Sequence, residues 1–111
     1  MADLYPKATA AVARRRKELT PAATEAFEDF SKAVFAEGAL DERTKQLIAV
    51  AVAHTTQCPY CITGHTKLAQ AKGATSEQVM EAIWVAAEMR AGGAYAHSTL
   101  ALHALGEVPH D

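Results

Sequence analysis

The sequence predicts an all-α fold of about six helices, forming a single domain over residues 1–111 and assembling as an oligomer. Three observations carry that expectation. Alanine is the commonest residue in a chain that is 50% hydrophobic but only 6% aromatic, and alanine loses no side-chain entropy in a helix and lets helices approach closely. The punctuation is that of helices, with Thr, Asp and Pro at starts and Gly at stops. No segment reads with conviction as a strand. The first helix ends in the basic run Arg14-Arg15-Arg16-Lys17, where cations suit the negative end of the helix dipole. "TPAATEAFEDFSKAVFAEG" opens the second with Thr20 as N-cap and Pro21 at the first helical position, and Gly38 is expected to close it. Phe27, Phe30, Val34 and Phe35 give this helix one apolar face.

The third helix starts after Asp41 and contains "LIAVAVA", which has no polar face. Such a segment suits a helix buried all round, and in so small a domain that burial calls for a partner subunit. A buried strand is the alternative for the same seven residues; the Asp41 cap and the helix-forming "ERTKQ" favour helix. Pro59 cannot continue the third helix but is welcome at the start of a new one. Cys58 then becomes the N-cap of a helix running to about Ala71, with Gly73 as its stop. "TSEQVMEAIWVAAEMR" begins with Thr75 and Gln78 in capping-box spacing. Gly92-Gly93 is expected to interrupt this helix, "AYAHSTLALHAL" to resume it as the sixth, and "EVPHD" to be a loose tail.

The formal charge of -2 leaves no electrostatic footprint for nucleic acid or anionic lipid. No apolar stretch reaches membrane-spanning length, and the N-terminal residues lack the charged-then-apolar order of a signal peptide. These readings point to a cytoplasmic protein without nucleic-acid or membrane partners. In that reducing setting a structural disulfide is not expected, so a C-x-x-C pair reads as redox-active or metal-binding.

The stretch "HTTQCPYCITGH" holds both cysteines of the chain, Cys58 and Cys61, between His54 and His65. With Cys58 as N-cap, Cys61 lies in the first helical turn and His65 four residues on, on the same helix face. The helix N-terminus and a neighbouring imidazole both favour thiolate, the reactive form. A second cysteine lets oxidation end in a disulfide rather than an irreversible acid. Two other readings stand beside the redox dithiol. Cys58, Cys61, His65 and either His54 or His97 make a possible zinc ligand set, and two buried cysteines can be inert small hydrophobes.

From Leu40 to Gly93 the chain resembles the carboxymuconolactone decarboxylase family, specifically its alkyl hydroperoxidase-like branch. The likeness is anchored by C-x-x-C-x-x-x-H followed by a helix and "KGAT". It implies an all-α fold, a homotrimer or homohexamer, and reduction of a hydroperoxide with an external dithiol as reductant and no bound cofactor. By motif, Cys61 matches the cysteine that attacks peroxide, Cys58 the one that resolves it, and His65 the relay histidine. Helix-end electrostatics alone would instead make Cys58 the more acidic thiol. The sequence departs from the family at Gln46, where a relay glutamate is usual. Glu88 and His97, which flank Gly92-Gly93, are therefore candidates to complete the relay, with Glu88 expected to be partly buried among apolar neighbours, and His54 joins the candidate catalytic set. The competing functions are a redox sensor or binding protein using the same disulfide, a zinc-stabilised module, and a decarboxylase-like enzyme.

Overall fold

The computed structural model describes residues 4–109, all of whose regular structure is helical. Five helices follow one another: α1 (Ala10–Leu19), α2 (Pro21–Phe35), α3 (Glu42–Thr56), α4 (Pro59–Ala71) and α5 (Ser76–Ala104). The contacts divide the chain into two units, one ending at Glu42 and one beginning at Arg43.

In the first unit α1 packs against α2. Thr20 joins them, but not as the side-chain cap expected for α2. Its hydroxyl donates back to the Arg16 carbonyl at 3.1 Å, and Pro21 alone marks the start of α2. The Lys17–Glu28 ion pair links the two helices at 3.1 Å. α2 ends at Phe35, three residues before the expected stop, because Ala36 turns extended (ψ 153°) and Gly38 lies in the loop beyond.

The second unit has its core where α3, α4 and α5 meet. Val50 of α3, Ala69 of α4 and Ala74 of the following turn are buried together, with Leu47, Val79 and Ile83 packed against them. "LIAVAVA" is helical, yet Ile48 and Val52 each keep about half their surface exposed. The sixth helix does not exist as a separate element: α5 runs unbroken through Gly92-Gly93 for 29 residues. Each glycine costs only about 1 kcal/mol against alanine within a helix, and the alanine-rich flanks together with the Thr75–Gln78 capping box, present in full, outweigh that. The tail from Glu107 follows Gly106; His110 and Asp111 lie outside the described residues.

Three helix ends in this unit share one device. After α4 and after α5, Gly73 (φ 93°) and Gly106 (φ 75°) take the left-handed conformation. The residue after each glycine donates its N–H five residues back, Ala74 to Ala69 at 2.9 Å and Glu107 to Leu102 at 3.0 Å. At the end of α3 the same role falls to Gln57 (φ 57°), with Cys58 N–H donating to the Ala53 carbonyl at 3.2 Å. A side chain there costs about 1–2 kcal/mol, while glycine's greater freedom in the unfolded chain returns about 0.5–1 kcal/mol of that. Gln57→Gly is expected to stabilise the protein by about 0.5–1 kcal/mol on these terms. A urea midpoint that moves up with an unchanged slope verifies it; an unmoved or lowered midpoint refutes the strain.

Candidate functional site

Cys58 is the joint between α3 and α4. Its N–H closes α3 on Ala53, its carbonyl accepts from Ile62 N–H at 2.9 Å, and its Sγ accepts from Cys61 N–H at 3.4 Å as the N-cap of α4. Pro59 at the first helical position leaves no N–H wanting a partner there. Both cysteines are free thiols and half-buried.

The pair shares its protons unequally. Cys58 is pulled below an ordinary thiol, chiefly by the hydrogen bond from the Cys61 side chain, then by the backbone N–H of Cys61, with that of Tyr60 adding to them. Cys61 is pushed up, first because its proton is held on Cys58, then by partial burial and by repulsion from the Cys58 charge. Of the two sulfurs, Cys58 is therefore the one that ionises first and Cys61 the one that keeps its proton longer. Alkylation by iodoacetamide over a pH series should modify Cys58 at lower pH than Cys61. In Cys61→Ala the Cys58 midpoint should rise toward that of an ordinary thiol, since the largest stabilising donor is gone. An unmoved midpoint would assign the effect to the helix end alone.

His65 lies one turn beyond Cys61 on α4 and is half-buried. Its Nδ1 meets the Oε1 of Gln46 at 2.8 Å across the α3–α4 packing. Gln46 is 5% exposed, the one polar residue among the described residues that is fully inside. His54 is fixed separately, its Nδ1–H on the Val50 carbonyl at 2.7 Å within α3. Arg90 of α5 donates to the Thr55 carbonyl at 2.6 Å and so ties α5 to the end of α3.

The structure thus sets Cys58 and Cys61 together at the head of α4, with His65 one turn further along the same helix and held by Gln46. Glu88 and His97 do not join them. Glu88 is exposed on α5 with its carboxylate lying over Gly92, not partly buried as the sequence suggested, because the intact helix carries it along a solvent-facing stripe. His97 is likewise exposed. Among the described residues no three His, Cys, Asp or Glu side chains are grouped so as to hold a metal ion. None of these helices is long and apolar enough to cross a membrane. Sequence reasoning treated Gln46 as a missing carboxylate and did not see it as the partner of His65. A signal was available: a glutamine one residue ahead of an apolar helix core must find a hydrogen bond once buried.

Residues 21–104 match the carboxymuconolactone decarboxylase family. A Paracoccus denitrificans protein described as uncharacterized protein 4 in the cox locus is 62% identical over 109 residues, 97% of each chain. An uncharacterized protein of Cupriavidus necator is 38% identical over 82 residues, 74% of this chain and 73% of its own. Among crystal structures, a protein from Methanobacterium thermoautotrophicum superposes with a TM-score of 0.71 at 39% identity, covering 79% of this chain and 97% of the other. A carboxymuconolactone decarboxylase family protein from Legionella pneumophila, in its apo form, does so with a TM-score of 0.67 at 36% identity, covering 87% and 86%.

Proposed function

The chain belongs to the carboxymuconolactone decarboxylase family, and from that premise we propose that it is a thiol-dependent hydroperoxide reductase acting through Cys58, Cys61 and His65. The observation that carries this reading is the dithiol at the start of α4, one thiol made more acidic by the other, with an imidazole one turn away on the same helix. Peroxide reduction needs a thiolate to attack oxygen, a proton for the departing alkoxide and a second sulfur to discharge the product.

The thiol proton shared between the sulfurs moves onto Cys58, and Cys61 attacks the distal oxygen of the hydroperoxide. The O–O bond breaks, Cys61 becomes a sulfenic acid, and the alkoxide leaves as alcohol after taking a proton delivered through His65. Cys58, its proton taken by His65, attacks the Cys61 sulfur; the S–S bond forms, and the hydroxyl leaves as water with the proton that His65 returns. An external dithiol supplies two electrons and two protons to restore the pair. Cys61 suits the attacking role because nucleophilicity rises with thiol basicity, and it is the more basic of the two.

Purified protein with tert-butyl hydroperoxide and dithiothreitol should consume many equivalents of peroxide above the uncatalysed rate. Consumption that stops at one equivalent per dithiol would favour the redox-sensor reading instead. One observation supports that second reading: the group paired with His65 is a neutral amide, not a carboxylate. We further propose that the working form is a homotrimer or a homohexamer, a reading supported by the apolar side chains left uncovered on α3 and α5.

A further inference from the structure

We propose that Gln46 is a positioning residue that holds His65 in the Nδ1–H tautomer without placing a charge beside it. The inference rests on the reading of His65 as the proton carrier of the dithiol. Gln46 is almost wholly buried and its Oε1 lies 2.8 Å from Nδ1, so the neutral ring donates from Nδ1 and keeps its lone pair on Nε2. A free histidine side chain prefers the opposite tautomer, with its proton on Nε2. The amide of α3 therefore selects the less favoured form and makes Nε2 the basic nitrogen. A glutamate at this position would select the same tautomer but would also stabilise the imidazolium, so that the ring gives up its proton less readily. An amide separates the two effects: it orients the base without setting a carboxylate charge beside it.

Buried polar groups are hydrogen-bonded as a rule, so the location of Gln46 alone would be met by any partner. What makes the pairing specific is its reach. Gln46 sits on the helix that ends at the cysteines, and His65 on the helix that the cysteines begin. The bond thus fixes the imidazole relative to both sides of the Cys58 joint. A hydrogen-bonded orienting partner of this kind is the usual means by which one nitrogen of a histidine is set for use.

Two-bond 1H–15N spectra of the neutral, reduced protein read the tautomer directly and require no turnover. The wild type should carry the His65 proton on Nδ1. Gln46→Met, which keeps the volume but removes the acceptor, should shift the ring toward the Nε2–H form and lower kcat/KM for tert-butyl hydroperoxide about tenfold. Gln46→Glu, which keeps an acceptor oxygen, should restore the Nδ1–H signature. A wild-type proton found on Nε2 would mean that the amide donates to Nδ1 and would overturn the proposal without recourse to any variant. An unchanged tautomer in Gln46→Met would do the same. The expected tautomers in all three proteins, with no peroxide turnover in any, would uphold the role of Gln46 and remove the peroxidase reading alone.

Discussion

Cys61→Ser is expected to abolish peroxide consumption, whereas Cys58→Ser should still form a sulfenic acid at Cys61 but fail to resolve it. The two outcomes differ because the sulfurs hold different places at one helix end. Cys58 is fixed on three sides by N–H and carbonyl partners and is the more acidic thiol. Cys61 holds the proton and is the stronger base. In Cys58→Ser the thiolate of Cys61 loses its repelling neighbour and attacks, but no second sulfur follows, and turnover falls to a single event or to slow over-oxidation. A sulfenate-reactive probe followed by mass spectrometry discriminates the variants. Labelling confined to Cys58 in Cys61→Ser, with none at Cys61 in Cys58→Ser, would reverse the roles and make the more acidic sulfur the nucleophile.

A particle mass of three or six chains, in multiples of 11.8 kDa, is the second expected result. Among the described residues of the second unit Val50 is the only large side chain wholly out of solvent. Met80 and Trp84, one turn apart on α5, stay 50% and 68% exposed, and Ile48 and Val52 on α3 about half exposed. At roughly 25 cal/mol for each Å² of apolar surface removed from water, covering these faces adds apolar burial that the small core of one chain does not supply. Trp84→Glu should weaken or dissolve the assembly. Light scattering that returns a single-chain mass for the wild type across micromolar dilutions would exclude an oligomer.

Much of the second unit was legible in the sequence because its signals are local. Pro59 fixes the start of α4, so Cys58 had to be the residue before it; the Thr75–Gln78 spacing is complete within four residues; Gly73 was readable as a stop. The errors arose where the deciding interaction was weak or distant. Gly92-Gly93 reads as a break, but two glycines are a modest penalty against a long alanine-rich helix. Once α5 is continuous, the exposed course of Glu88 follows. Gln57 carries no mark of a left-handed residue, since glutamine rarely adopts that conformation and only the meeting of two helices requires it. The Gln46–His65 bond spans nineteen residues, and no periodicity connects such a pair.

The seat of Cys58 at the head of α4 also bears on redox poise. The donors that gather on its sulfur stabilise a thiolate, and a disulfide sulfur is a much weaker acceptor. The folded chain therefore favours the dithiol over the disulfide, which raises the reduction potential of the pair and makes its disulfide the more oxidising. Cleavage of an O–O bond is exergonic enough to load the pair against that bias. In the proposed cycle the gain would come in the return half, where electrons from an ordinary dithiol would flow downhill into the bridge. On that proposal, the same few N–H groups that begin a helix would set the direction in which the pair discharges.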